Sequence, residues 1–213
     1  NAITASMLST TDVDNSPQQL VYTVTGAPAH GTLRRDGSAL GQNGSFTQAD
    51  INAGLLSYDH DGSENFNDSF AFTVDDGVGT ASAGAFSFTI TPVNDNAPVI
   101  TSNGGGATAS LSVAENSSAV TTVVATDADL PPATLSYTLA GADMHLFSIT
   151  PGGALSFIEA PDFENPLDAG QVNTYHVTVT VSDGLLTVAQ NLVIGITDLD
   201  EFDVSVPVDA DAA

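Results

Sequence analysis

The chain has 213 residues, no cysteine, no tryptophan, and 26 acidic residues against two basic ones, Arg34 and Arg35, for a net charge of -24 at pH 7. Polyanionic partners are excluded, because nucleic acid and anionic membrane surfaces are held by Lys and Arg on phosphates, and one Arg pair does not suffice. With 42% hydrophobic residues the chain can still build cores, and its apolar runs fall far short of the roughly 20 residues that span a bilayer.

Helical periodicity is nearly absent. Short runs instead alternate apolar and polar residues, are rich in Val, Thr, Tyr, Phe and Ile, and are bounded by Gly, Asn, Asp and Pro. In chain order the alternation predicts strands over residues 19–25, 31–35, 54–58, 68–74 and 84–91. After a Pro/Asn/Asp segment it predicts strands over 109–114, 119–125, 135–140, 147–149, 154–157, 173–182 and 187–197. Many short strands with regular turn signals indicate an all-β fold of two tandem sandwiches, residues 1–96 and 97–201, with 202–213 as a linker to a further repeat. The chain opens without methionine and closes on Asp209-Ala210-Asp211-Ala212-Ala213, so it is expected to be a piece of a longer protein.

The acids follow an order. Counting along the sequence gives 21 Asp and 5 Glu, a bias toward the short carboxylate that suits turns and hard cations. Each half carries an Asp-x-Asp pair near its start (Asp12-Val13-Asp14; Asp127-Ala128-Asp129) and an acidic cluster in its middle (Asp59 to Glu64; Asp162-Phe163-Glu164). Each then has an alternating strand closing on Asp-Gly (Asp76-Gly77; Asp183-Gly184) and a last strand leading to an acidic segment. Between the halves, Asn94-Asp95-Asn96 precedes Ala97-Pro98, a short stiff segment rich in carboxylate, amide and carbonyl oxygens. Calcium takes 6–8 oxygens at about 2.3–2.6 Å, and an Asp-x-Asp pair, a distant Asp-Gly and a linker Asn supply such a set if the strand ends meet. Without a cation, each pair of like charges at roughly 4 Å costs on the order of a few kcal/mol at an effective dielectric near 20.

These residues resemble a family. The second half, with Ala114-Glu115-Asn116, Ala125-Thr126-Asp127-Ala128-Asp129, Leu135-Ser136-Tyr137, Asp162-Phe163-Glu164 and the Val-x-Val-x-Val strand ending at Ser182-Asp183-Gly184, is similar to a cadherin repeat. The first half is similar to the cadherin-like repeat of chondroitin-sulfate-proteoglycan-type and giant bacterial surface proteins. It carries His30-Gly31-Thr32-Leu33, Phe46-Thr47-Gln48-Ala49-Asp50-Ile51, Tyr58-Asp59-His60-Asp61-Gly62-Ser63-Glu64 and Asp68-Ser69-Phe70. The resemblance implies two antiparallel Ig-like Greek-key sandwiches joined by calcium, with the first strand of the first repeat expected upstream of Asn1. Its implied ligands at the central joint are Asn94, Asn96, Asp127, Asp129 and Asp183, with Asp95 bridging toward Asp61 and Glu64, and Asp59 or Asp68 in reserve. Glu115, Asp162 and Glu164 would serve the next joint with Asp198 and Asp200, and Asp12, Asp14 and Asp76 the previous one. Two departures stand out: Pro92 replaces the family's linker Asp, and the first-strand Glu of the first repeat is missing.

The remaining chemistry-bearing residues have plainer readings. His30, His60, His145 and His176 lack metal-ligand spacing, there is no Gly-x-Ser-x-Gly elbow or phosphate loop, and Arg34-Arg35 before Asp36-Gly37 caps a hairpin. The expected function is therefore not enzymatic. It is a calcium-binding module of an extracellular or cell-surface adhesin, biofilm adhesins included, in which Ca2+ rigidifies the joint and the partner is a second copy or the matrix. A carbohydrate-binding module for surface polysaccharide and an inert spacer are the alternatives.

Overall fold

A computed structural model describes residues 1–200 of the chain. It is almost entirely β and divides into two compact units, Asn1–Val93 and a second from Asn94 onward, so the Asn94-Asp95-Asn96 segment belongs to the second unit. The sequence boundary lies three residues later, and the reason for the difference is local: the segment is hydrogen-bonded to Asp129 of the second unit. The residues from 202 on, read as a linker, lie outside the described ones.

In the first unit, strands β1 (Val21–Gly26), β4 (Ser45–Thr47), β6 (Asn67–Asp75) and β7 (Ser82–Thr89) form one sheet in the order β4-β1-β6-β7. Strands β2 (Gly31–Arg35), β3 (Ser38–Ala39) and β5 (Leu56–His60) form the other, in the order β3-β2-β5. Period-two alternation turns Tyr22 and Val24 of β1, Phe70 and Phe72 of β6, Leu33 of β2, and Leu56 and Tyr58 of β5 into one shared core. A five-residue helix, α1 (Gln48–Asn52), closes the end: Thr47 caps it, accepting from the Asp50 N–H at 3.1 Å while Asp50 Oδ2 accepts from the Thr47 N–H at 2.7 Å. The N-terminal residues are tied down, with Ile3 buried and its N–H donating to Leu56 O at 2.9 Å. Both arginines are paired within the unit, Arg34 with Asp59 at 2.6 Å and Arg35 with Asp50 at 3.2 Å.

The second unit contains β8 (Val99–Ile100), β9 (Thr108–Ala114), β10 (Ala119–Thr122), β11 (Ala125–Thr126) and β12 (Ser136–Ala140). They are followed by a single 3-10 turn and then by β13 (Phe147–Ile149), β14 (Ala154–Phe157), β15 (Thr174–Ser182) and β16 (Thr187–Thr197). The main sheet runs β12-β15-β16-β9, and the facing strands are ordered β10-β14-β13, with β8 and β11 as a separate pair. Tyr175, Val177, Val179 and Val181 of β15 and Leu192, Ile194 and Ile196 of β16 point inward against Phe147, Leu155 and Phe157. One pairing departs from the antiparallel expectation: β9 runs parallel to β16, from Thr108 opposite Asn191 to Ala114 opposite Thr197. It joins the beginning of the unit to its last strand, so no tight turn dictates the direction. Among the described residues, no helix is long and apolar enough to cross a membrane.

Candidate metal centres

In the second unit the strand ends bring Asp127, Asp129 and Asp183 together, each offering one carboxylate oxygen within 4.8 Å of the others. The local sequence fixes each one. Asp127 follows β11 and accepts the Asp129 N–H on Oδ1 at 2.9 Å, an Asx turn that faces the two carboxylates of the Asp-x-Asp pair the same way. Asp183 follows β15 by one residue, and its Oδ1 accepts the Leu185 and Leu186 N–H groups at 2.6 and 2.7 Å, which fixes the turn and leaves Oδ2 for the cluster. Asp129, 3% exposed, is held from the linker: it accepts the Asn96 backbone N–H at 3.1 Å and the Asn96 side-chain amide at 2.7 Å.

Two observations bear on a cation here. Asp127 Oδ2 is buried and has no hydrogen-bond donor. The side-chain amide of Asn94 lies 3.2 Å from Asp129 Oδ2 and 3.2 Å from Asp183 Oδ2, its NH2 donating to both. A rotation of that amide turns its carbonyl oxygen to the same point, where with the three carboxylates it is an oxygen donor of the kind a hard ion takes. The electrostatics agree. The Asn96 side-chain amide, against some desolvation, holds Asp129 below the ordinary carboxylate range. Burial pushes Asp183 up, and the Leu185 and Leu186 N–H groups outweigh it, so its carboxyl also lies below that range. Both stay ionised at neutral pH, which is the form that ligates.

A second cluster in the same unit joins Glu115, Glu164 and Asp198. Glu115 is 2% exposed, its two oxygens accepting the Phe163 N–H at 2.8 Å and the Leu199 N–H at 2.7 Å, and these bonds lower its pKa. For Glu164 the bond from its own N–H, which lowers the pKa, is outweighed by desolvation and by the charges of Glu115, Asp198 and Asp162, so the carboxyl is raised. A carboxylate pushed up by its neighbours is one that a divalent cation would relieve. Asp162 and Asp200, expected with this group, are not in that cluster: Asp162 Oδ1 accepts the Glu164 and Asn165 N–H groups, and Asp200 is exposed.

The first unit repeats the turn chemistry of the second. Asp12 Oδ1 accepts the Asp14 N–H at 3.1 Å, as Asp127 does from Asp129, and Asp76 Oδ1 accepts the Val78 N–H at 2.8 Å, as Asp183 does from Leu185. Asn15 donates to Asp76 Oδ2 at 3.2 Å, joining the two stretches. Asp12 and Asp14 are exposed and Asp76 is half-buried, and the three do not gather into a set of close oxygens as Asp127, Asp129 and Asp183 do. A hydrogen bond between the two carboxyl side chains raises the pKa of Asp14 and lowers that of Asp12. Asp61 closes its own turn, accepting from the Ser63 N–H and Oγ at 2.9 and 2.6 Å, with Glu64 following in the same loop; Asp95 accepts from the Asn96 amide at 3.1 Å.

The reserves Asp59 and Asp68 are structural. Asp59 pairs with Arg34, and the buried Asp68 accepts from the Ala29, His30 and Ser69 N–H groups and from Tyr58 Oη at 2.8–2.9 Å. Reading the sequence missed two further buried carboxylates of this kind, Asp143 and Asp168, 1% and 2% exposed, which accept backbone N–H groups and shape the loop before β15. The aromatic side chains mostly fill the cores. Among the described residues Phe66, 50% exposed, is the aromatic that lies mainly on the surface.

Comparison with known proteins agrees with this architecture. Residues 1–91 match the family model described as cadherin-like. The extracellular matrix organizing protein FRAS1 of Mus musculus is 36% identical over 118 residues, covering 48% of this chain and 3% of that protein. Extracellular matrix protein 3 of Lytechinus variegatus is 37% identical over 121 residues, covering 51% of this chain and 4% of that protein. Chondroitin sulfate proteoglycan 4 of Mus musculus is 37% identical over 89 residues, covering 40% and 4%. The chain thus spans only a few per cent of the length of these relatives. Among solved structures, mouse cadherin-23 EC22-24 aligns at a TM-score of 0.54 and 21% identity over 85% of this chain and 53% of that one. Human protocadherin-24 EC1-2 aligns at 0.54 and 20% identity, over 88% and 85%. At that identity the likeness concerns the fold: the chain is a tandem of Ig-like, cadherin-like sandwiches, and its residues 1–91 are similar to the cadherin-like family.

Proposed function

We propose that the chain is a calcium-binding module of an extracellular adhesion or matrix protein, in which Ca2+ bound by Asp127, Asp129, Asp183, Asn94 and Asn96 fixes the segment that connects the two units. The observation that carries this reading is the buried Asp127 Oδ2, without a donor, beside the Asp129 and Asp183 carboxylates and the Asn94 amide. An unpaired buried carboxylate oxygen is costly, and a divalent cation removes that cost and the mutual repulsion together. Held by the ion, Asn94 and Asn96 lose their freedom, and the joint stiffens. Glu115, Glu164 and Asp198 form a second such set. The extracellular setting is supported by relatives named as extracellular matrix proteins, and a homophilic or matrix partner follows from the same likeness.

The test is terbium luminescence and calorimetric calcium titration of the chelator-stripped chain beside its Asp127→Ala and Asp183→Ala variants. Saturable binding weakened on the order of tenfold or more by either substitution supports the site, since affinity in such sites follows the count of charged ligands. Titration curves that the two substitutions leave unchanged would contradict it.

A further inference from the structure

From Asn94 onward the chain has neither Lys nor Arg, and its only side chains that could carry a positive charge are His145 and His176. Within this acidic unit one part of the surface is apolar. The 3-10 turn Met144–Leu146, the end of β14 and the loop after it surround a cavity of about 210 Å³, and all of its walls lie between residues 145 and 175. Phe157 and Tyr175 form its buried floor, their rings edge to face with centroids 5.1 Å apart. Its sides are Leu146 and Pro161, and Ile158 and Leu167 stand at the rim, 63% and 55% exposed. Backbone bonds hold the walls in place: the Ile158 N–H donates to Leu146 O at 2.9 Å, and the Leu167 N–H donates to Tyr175 Oη at 3.2 Å.

Two large aliphatic side chains at the mouth of an apolar cavity are surface that a partner can take out of water. The volume sets the size of the occupant. It lies below the roughly 300–1,000 Å³ of sites for whole small molecules, and it suits one large side chain anchored from a partner's surface. Polar groups define what flanks that anchor. Tyr175, 1% exposed, accepts through its hydroxyl but has no acceptor for its own proton among the described residues, so it can donate to a main-chain carbonyl of the occupant. Glu159 is exposed on the wall, makes no ion pair among the described residues, and is followed in the chain by the exposed Asp162 and Glu164, so the favoured neighbour of the anchor is a cation. We propose that this cavity is a docking pocket for a large apolar side chain flanked by Lys or Arg on a partner polypeptide, with the cation meeting Glu159. A second copy of this chain would bring another net charge of -24, and residues 201–213 bring four acids and no base, so charge disfavours both as occupants. The inference rests on no metal ion.

The probe is the capped tripeptide acetyl-Arg-Phe-Arg-amide, titrated into the whole isotope-labelled chain and followed by amide and methyl NMR. Saturable shifts centred on Leu146, Ile158, Glu159, Leu167 and Tyr175 are expected. Replacing the probe's Phe with Ala is expected to weaken binding on the order of tenfold or more, the loss of one buried large side chain. Flanking the Phe with Glu in place of Arg is expected to weaken it as well. Ile158→Ser and Glu159→Gln, both at exposed positions that leave the fold intact, are expected to weaken the Arg-flanked probe, and Glu159→Gln also to flatten its dependence on NaCl. Five results would each overturn the proposal: no saturable shift at millimolar probe, an Ala probe that binds as well, a Glu-flanked probe that binds as well, shifts of the pocket residues with chain concentration alone, and displacement of residues 201–213 by the probe. The fourth would assign the pocket to a second copy, and the fifth to the chain's own end.

Discussion

Asp68 and Asp127 are both acids near strand ends, and their surroundings give them opposite work. Four donors meet Asp68, and although burial pushes its carboxyl up, the bonds from Ala29, Tyr58, His30 and Ser69 outweigh it and hold the pKa below the usual 3.8. A folded-state pKa lowered in this way contributes stability above the unfolded value, and that contribution is lost as pH falls through the folded one. Asp68→Ala is therefore expected to destabilise the first unit by roughly 3 kcal/mol at pH 7, since it strands buried donors. The gap between wild type and variant narrows as pH drops below the ordinary 3.8, read by urea unfolding at each pH. A gap independent of pH would contradict the assignment. The same carboxylate also raises the Tyr58 phenol, behind desolvation as the larger cause. Asp127 lacks such donors on Oδ2, so Asp127→Asn in the absence of calcium is expected to leave stability unchanged or higher and to cut calcium affinity, a sign reversal that separates a metal ligand from a structural acid.

At the scale of elements, glycine decides one contact sharply. Gly153, between β13 and β14, has φ of +80° and packs its backbone against Val123, whose N–H donates to Gly153 O at 2.8 Å; an added Cβ would sit 2.1 Å from Val123 O. Gly153→Ala is expected to cost about 2 kcal/mol or more in thermal or chemical denaturation, from left-handed strain with the clash on top. Period-two alternation located most strands: β2, β13, β14 and β16 lie at the expected residues, and β15 within one. The elements it missed, β3, β4, β8, β11 and α1, have two to five residues, too few for a period to repeat. Direction was also hidden, because alternation along β9 looks the same whether it pairs parallel or antiparallel. The acids divide likewise. Asp-x-Asp and Asp-Gly announced the turn geometry around Asp129 and Asp183, but a carboxylate that accepts backbone N–H groups on both oxygens and one with a buried oxygen left without a donor have the same local sequence. The sequence therefore does not separate Asp68, Asp143 and Asp168 from Asp127.

For the molecule as a whole, a net charge of -24 with both arginines already paired means that folding works against its own repulsion. Any salt screens that repulsion, whereas a specific site responds to calcium alone and by mass action, about 2.7 kcal/mol at a hundred times its dissociation constant. Millimolar CaCl2 is accordingly expected to raise the melting temperature well beyond NaCl at equal ionic strength, and equal rises would assign the effect to screening. The proposed site gathers Asp127, Asp129, Asp183, Asn94 and Asn96 around one hard cation. Its most direct measurement is the calorimetric calcium titration of the chelator-stripped chain, wild type against Asp127→Ala. The account predicts saturable binding that the substitution weakens on the order of tenfold or more; no heat up to millimolar calcium, or curves that superimpose, would contradict it.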